Sequence, residues 1–250
     1  MRAEKATALV LRVIDFSETS CIVVLFSREF GKLRALAKGG RRPKGPFEAA
    51  LDLLALCRVV FLRKSSDALD LLTEAKLQRR FRPAAGNLAS LYAAYYVAEL
   101  LSELTDDYDP HPQLFDLANA TLGELASGGA VPQLLLRFEM VALRLLGHAP
   151  LFDRCVECGN PQPDAARIAF GVLDGGILCP ICRPGKRQVV GISAGAIDAL
   201  RAYAAEGESW QTAAVEQATT GELRAVVNRY LTHLIGHKLK MHAYLGVISG

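Results

Sequence analysis

The sequence predicts a multidomain α+β protein with three parts: an N-terminal five-stranded OB-like β-barrel, an α-helical domain and an inserted four-cysteine ribbon. Three observations carry that prediction. Residues from about 6 to 80 read as short strands separated by turn residues, with no strong helical segment among them. From about residue 88 the apolar residues change to helical spacing. Two Cys-x-x-Cys pairs, Cys155–Cys158 and Cys179–Cys182, then stand one short segment apart. The corresponding divisions are 1–80 for the barrel, 81–150 with 190–250 for the helical domain, and 151–189 for the insertion.

The strands follow in order. Ala8 to Ile14 and Ser20 to Phe26 are rich in strand-forming residues. Gly31 opens a third run, Lys32 to Lys38, in which basic and apolar residues alternate at period two, so its polar face reads as entirely cationic. Leu51 to Leu62 and Ala68 to Leu77 supply two more strands, with Ser65-Ser66-Asp67 between them. This pattern suits an OB-fold and does not by itself separate it from other small barrels.

Phe81-Arg82-Pro83 closes the module, and helices follow. Leu88, Leu91, Tyr92, Tyr95, Tyr96 and Leu100 fall near helical spacing. Asp109-Pro110-His111-Pro112 interrupts, and Leu114 to Leu125 resumes. Ser127-Gly128-Gly129 is a stop, and Pro132 suits a first helical turn. Leu134 to Leu146 is the most apolar helix and ends at Gly147. Ser193 reads as an N-cap for a helix through Ala204, and Glu222 to about Leu245 as a long basic amphipathic helix.

The cysteines have the spacing of a four-thiolate zinc site, because each pair sets two soft ligands on one tight turn and zinc takes four tetrahedrally. Gly159, Pro180 and Gly175-Gly176 supply the turns of a small zinc ribbon. Two disulfides or four buried thiols are the competing readings. Four thiolates leave no open position for water or substrate, so one structural Zn2+ is expected and zinc catalysis is not. Cys21 and Cys57 stand singly in strand-like segments and read as small core residues.

At 250 residues, 51% hydrophobic and 22% charged, the chain has the composition of a globular protein with room for more than one domain. Met1-Arg2-Ala3-Glu4-Lys5 leads into an alternating segment and not a continuous apolar run, which argues against a secretion signal. No apolar stretch is long enough to cross a bilayer. Thiol pairs without a secretion signal suit a reducing cytosol, so a cytoplasmic location is expected. Charge is uneven: residues 1–82 carry about +8 and the remainder about −5, within a net +3. That asymmetry points to a polyanion partner for the basic half. The candidates are Lys32, Arg34, Lys38, Arg41, Arg42 and Lys44, one strand and its following loop. Phe30 and Phe47 flank them and offer base stacking, although core packing is the favoured role for each.

The search for catalysis finds little. There is no phosphate-binding Gly-rich loop and no nucleophile elbow. Asp106, Asp107 and Asp109 form a carboxylate cluster that reads as a solvated loop, and His233 and His237 lack a third ligand. Absence of a motif does not exclude an enzyme, but nothing here assigns one, and a DNA-binding adaptor is the first reading. A zinc-ribbon nuclease using those aspartates and an RNA-associated ribbon protein are the alternatives.

The order of parts, the Lys38-Gly39-Gly40-Arg41-Arg42-Pro43-Lys44 loop, the Arg137-Phe138-Glu139 helix running to Gly147-His148-Ala149-Pro150, and the Gly175-Gly176-Ile177-Leu178-Cys179 hairpin together resemble the bacterial RecO family of recombination mediators. The resemblance covers essentially the whole chain. It implies a non-enzymatic protein that binds single- and double-stranded DNA and anneals complementary strands. It also implies work with RecR to load RecA onto DNA coated by single-stranded-DNA-binding protein, and a cytoplasmic, nucleoid-associated location. That coat protein's acidic, Phe-ending tail is recognised in the helical domain of such proteins, and Arg137 and Arg144 are the cations this chain offers for it. Some family members lack the cysteines, so zinc is expected to be structural. One departure is Lys240-Met241-His242, where the family pattern suggests Lys-Ser.

Overall fold

A computed structural model describes residues 2–42, 45, 47, 50–64, 68–83, 87–212 and 217–247. Two compact units result, one running to Leu134 and including the chain from Ala243, the other spanning Leu135–His242. Among the described residues no helix is long and apolar enough to cross a membrane.

The first unit begins with β1 (Arg2–Asp15), β2 (Cys21–Ser27), β3 (Gly31–Ala37), β4 (Leu56–Arg63) and β5 (Asp70–Arg79). They form a closed barrel in the order β1-β2-β3-β5-β4, which is the five-stranded OB arrangement. Closure works because β1 is long enough to pair with β4 along Arg2–Leu9 and with β2 along Ala8–Asp15. A bulge between Val10 and Arg12 bends it from one partner to the other. Alternate residues turn inward, so Val10, Val23, Leu25, Leu33, Phe61 and Leu72 fill the core. Cys21 and Cys57 are buried there, as expected. The expected start of the fourth strand at Leu51 is five residues early. Asp52 accepts from the Leu53 N–H at 2.9 Å and Leu54 takes φ +65°, so a turn occupies that stretch. Ser65-Ser66-Asp67 lies outside the described residues.

Only Ala35–Ala37 of β3 pairs with β5, in parallel with Asp70–Leu72. The first half of β3 is completed by the connection between α1 (Leu88–Leu104) and α2 (Pro112–Ala126). Lys32 and Asp107 form a parallel bridge there, and the Tyr108 N–H donates to the Lys32 carbonyl at 2.9 Å. Lys32 is only 8% exposed, and its ammonium donates to the Ser102 carbonyl at 2.7 Å and to the Thr105 carbonyl. It thereby satisfies orphan carbonyls at the α1 C-terminus, where the helix dipole favours a cation. The Tyr108 hydroxyl donates to Asp70 at the start of β5, and the Arg63 guanidinium lies 4.0 Å from its ring centre. Gly31 sits at φ +69°, and a Cβ there would stand 2.0 Å from the Asp109 carbonyl oxygen, so no other residue fits. Phe26 of β2 meets Phe115 of α2 at 6.2 Å between ring centres.

The second unit contains the rest of α3 (Val131–Leu145), a three-stranded sheet, α4 (Ala194–Ala204) and α5 (Gln217–Ile235). The sheet has the order β7-β6-β8, from β6 (Arg167–Gly171), β7 (Gly176–Leu178) and β8 (Val189–Ser193). Ser193 caps α4 as the sequence predicts, accepting from the Ala196 N–H at 3.3 Å. The long C-terminal helix is shorter than expected. Gly236 at φ +84° ends α5, and the described chain resumes as a 3-10 helix from Lys240. Phe138 is fully buried. Beside it the Glu139 carboxylate, with no exposed side-chain surface, accepts from Arg224 of α5.

Two outcomes follow. Gly31→Ala destabilises by more than the roughly 1–2 kcal/mol of a left-handed non-glycine residue, because the Asp109 backbone must also move; a urea titration measures it. Glu139→Gln leaves the Arg224 charge without its buried partner and costs about 3 kcal/mol, whereas Glu139→Met with Arg224→Met recovers most of the loss.

Candidate nucleic-acid interface and metal centre

The metal centre is built from two turns. In the first, the Gly159 N–H returns to the Cys155 carbonyl at 2.9 Å, and Gly159 takes φ +74°. In the second, the Cys182 and Arg183 N–H groups reach the Cys179 carbonyl at 3.1 and 3.0 Å. The strand pair sets these turns side by side. Val156 N–H donates to the Ile177 carbonyl, and Leu151 and Gly176 form a parallel bridge. Lys186 ties Glu157 to Asp174 beneath them.

The four Sγ atoms lie within 4.8 Å of one another, and Cys158 and Cys179 are 3.8 Å apart. Sulfurs about 2.3 Å from a tetrahedral zinc ion are separated by about 3.8 Å. The donor set and its spacing therefore fit one divalent ion with no open position. Burial pushes the Cys155 thiol up, but backbone N–H groups around it outweigh this and hold it at about 6. Neighbouring thiols, Cys158 first, push Cys182 up to about 12. The first proton thus leaves easily and later ones do not, unless a cation takes up the accumulating charge. Among the described residues this is the one cluster of His, Cys, Asp and Glu able to hold a metal.

The cationic set divides. Lys32 is a correction to the solvent-facing cation the sequence suggested: its alternation is right, but the α1–α2 connection covers it. Burial pulls its ammonium down, against the attraction of Asp107. Arg34 remains exposed and pairs with Asp107 at 3.1 Å. Lys38 and Arg42 are exposed and carry no ion pair among the described residues. Arg41 stitches this loop to the β1–β2 turn. Its N–H donates to the Thr19 carbonyl at 3.0 Å, its guanidinium donates to the Ser17 carbonyl at 3.1 Å, and it pairs with Asp15 at 3.3 Å. Lys44 lies outside the described residues. Phe47 is buried, and Phe30 packs edge-on against Phe61, so both serve the barrel core.

Arg12, Ile14 and Phe16 stand on the β1 side of this loop and were not singled out from sequence. Their alternation continues β1 into the turn, and that was the available signal. Phe16 is 60% exposed.

Arg137 and Arg144 come together on α3. The Arg137 guanidinium donates to the Tyr203, Ala205 and Gly207 carbonyls just past α4, at 2.6, 2.5 and 3.2 Å. Arg144 pairs with Glu206 of the same loop at 3.0 Å. Burial, and then the Arg144 charge, draws Arg137 below its ordinary range.

Comparison with known proteins accounts for both halves of the chain. Residues 1–81 match the family described as recombination protein O N terminal, and residues 85–242 match recombination protein O C terminal. The chain is 41% identical to the DNA repair protein RecO of Rhodopirellula baltica, with 95% of this chain and 97% of that protein covered. It is 36% identical to the DNA repair protein RecO of Anaeromyxobacter sp., covering 98% of this chain and 96% of the relative. The DNA repair protein RecO of Myxococcus xanthus is 33% identical, covering 97% of this chain and 96% of the relative. With a closed five-stranded barrel, a four-cysteine centre and matches along nearly its full length, the chain belongs to the RecO family of DNA repair proteins.

Proposed function

We propose that the chain is a non-enzymatic recombination mediator that binds single- and double-stranded DNA through its barrel and anneals complementary strands. The observation that carries this reading is the cationic end of the β1–β2–β3 face. Arg12 and Arg34 lie on the strands, and Lys38, Arg41 and Arg42 lie on a loop hydrogen-bonded to the β1–β2 turn. Annealing requires two polyanions to approach, which fixed cations achieve by neutralising phosphates without covalent chemistry. Contacts to phosphate carry little sequence information, so weak base preference accompanies this mechanism. Lys32, named with this set from sequence, serves it indirectly by fixing β3. Lys44 is retained as a candidate on charge and position in sequence alone.

The nuclease alternative loses support from the aspartates. Asp107 is engaged by Lys32 and Arg34, and an Asp109 carboxylate oxygen lies 2.9 Å from a His111 ring nitrogen, so two of the three carboxylates already have protein partners.

The same proposal extends to partners: RecR, the acidic C-terminal tail of single-stranded-DNA-binding protein and, indirectly, RecA. Two adjacent guanidiniums, Arg137 and Arg144, supply charge for such a tail. Glu206, 86% exposed along its side chain, is the carboxylate the tail would displace from Arg144. The working divisions are 1–80 for DNA, 81–150 with 190–250 for the protein tail, and 151–189 for the ribbon. The ribbon's four thiolates hold one structural Zn2+. The setting is the cytoplasm, at the nucleoid.

Lys38→Ala with Arg42→Ala weakens single-stranded DNA binding equally across sequences. It also flattens the log–log salt dependence by roughly 0.7 per lost phosphate contact. Anisotropy titrations over a salt series read both, and unchanged affinity and slope would reject the loop as a DNA surface. Cys155→Ser lowers zinc content and thermal stability together, seen by atomic absorption and a melting curve. Zinc affinity of the wild-type chain falls as pH falls, because protons return to thiols that must be ionised to bind, Cys182 most readily. Full stability without metal would reject the structural role.

A further inference from the structure

We propose that the groove between α5 and the chain that returns after it binds a compact polyphosphate anion, either free or as the phosphate tail of a nucleotide. The site lies in the second unit and is independent of the DNA surface on the barrel.

Helical spacing builds the first wall. Two rows at intervals of four, Ala225–Arg229–His233 and Asn228–Thr232–Gly236, run side by side along α5. Val226, Val227, Tyr230 and Leu231 hold the rest of the helix in the core. The returning chain is the second wall. Gly236, at φ +84°, turns it, and buried Leu239 pins it, so that Lys238 and His242 line the same groove. Gln188, just before β8, completes the lining. It holds φ +53°, a left-handed conformation that side-chain-bearing residues rarely adopt, while its carbonyl accepts from the Val172 N–H at 3.1 Å. The groove measures about 680 Å³, a volume usual for a small-molecule site. His233 and His237, a helical pair in sequence, are parted by the turn at Gly236. A His237 ring nitrogen lies 3.2 Å from the Lys238 carbonyl, and His233 shares the groove with His242 instead.

The lining holds Arg229, His233, Lys238 and His242 and no Asp or Glu. Glu222, the one acid of α5, is turned to Arg167 and Ser193. Arg229 and Lys238 carry no ion pair among the described residues. Two fixed positive charges oppose a metal ion on the imidazoles and favour an anion. Half-buried Asn228 and Thr232 stand deeper than the exposed Arg229 and Lys238, and they add an amide and a hydroxyl. The Asn228 amide oxygen is buried with no hydrogen-bond partner among the described residues, so nothing at that atom prevents the amide from turning its NH2 to a ligand.

The donors converge from two sides of a concavity, whereas a DNA strand is followed by cations along an open track. From Ala225 to Gly236 the wall is about 16 Å of helix, longer than one tetrahedral anion. No aromatic or large apolar side chain lines it, so nothing reads a base. Consecutive phosphoryl groups satisfy this set: a guanidinium grips phosphate through two N–H bonds, and an ammonium meets it as a point charge. With no carboxylate to receive magnesium, the magnesium-free anion is the form that fits.

Isothermal titration calorimetry tests the site with inorganic pyrophosphate, adenosine diphosphate, orthophosphate and adenosine. Zinc content is measured afterwards, because polyphosphates chelate metals. Pyrophosphate and adenosine diphosphate are expected to bind at least roughly 10-fold tighter than orthophosphate, and magnesium weakens both. The tighter of the two identifies the source of the anion. Arg229→Ala with Lys238→Ala lowers pyrophosphate affinity roughly 10-fold or more with the melting curve unchanged. Lys38→Ala with Arg42→Ala removes the same charge from the barrel and leaves pyrophosphate binding intact. Pyrophosphate bound no tighter than orthophosphate, or an equal loss in both double variants, overturns the site in favour of general anion attraction. Binding of adenosine overturns it in favour of a base-reading pocket. Single-stranded DNA affinity lost on changing Arg229 and Lys238, without pyrophosphate binding, overturns it in favour of nucleic acid. The DNA reading of the barrel is judged separately, by the Lys38 and Arg42 variant on DNA.

Discussion

The Lys32 ammonium, buried against the last carbonyls of α1, is the contact on which the N-terminal unit turns. Burying a lysine is costly, and Asp107, 3.9 Å away and partly exposed, repays only part of that cost. The remainder is offset by charge-assisted hydrogen bonds to carbonyls, each contributing about 1.5–3 kcal/mol. What the arrangement achieves is a joint. Half of β3 has no β5 neighbour, and the segment anchored by this lysine occupies the gap. Gly31 permits the close approach, and Tyr108 carries the same segment across to Asp70 on β5. The barrel is thus closed in part by residues that follow it by one helix.

A second polar joint organises the other unit. Arg137, Phe138 and Glu139 are consecutive on α3, yet each does a different job. The arginine gathers the carbonyls beyond α4, the phenyl ring enters the core, and the carboxylate receives Arg224 from α5. Helical geometry turns successive residues by about 100°, so three neighbours can address three elements. A motif of this kind is conspicuous in sequence because all three directions are constrained together. Its arginine is also the one proposed to meet an acidic tail, so recognition there would draw on a residue that already holds the loop after α4 in place.

Much of the architecture was legible in the sequence. Strand formers at period two, punctuated by glycine and by Ser-Ser-Asp, marked five strands because that pattern is local. The Cys-x-x-Cys pairs were legible for the same reason: ligand geometry is set within a four-residue turn. What escaped were properties that depend on distant chain. Lys32 alternates as a solvent-facing residue should, and nothing near it reveals that Thr105 will cover it. Phe30 and Phe47 drew attention by their position beside cations, while Phe16, inside a polar turn, did not. The difference between them is burial, which follows from where β4 and the helices pack. The C-terminal helix was overextended because basic residues past Gly236 still suited a helix by composition, while the glycine's left-handed conformation ended it.

The gap-filling segment also bears on synthesis. Lys32 and Asp107 are 75 positions apart, so a ribosome adding about 5–20 residues per second takes roughly 4–15 s between them. During that interval the nascent β3 presents an unsatisfied half-edge of the sort that recruits foreign strands. The match to the N-terminal family ends at residue 81 and the match to the C-terminal family begins at residue 85. The contacts of β3 cross that boundary. A fragment cut there would keep all five strands and still lack the piece that seals them, which makes the N-terminal segment a poor candidate for independent expression and ties its maturation to the helices translated after it.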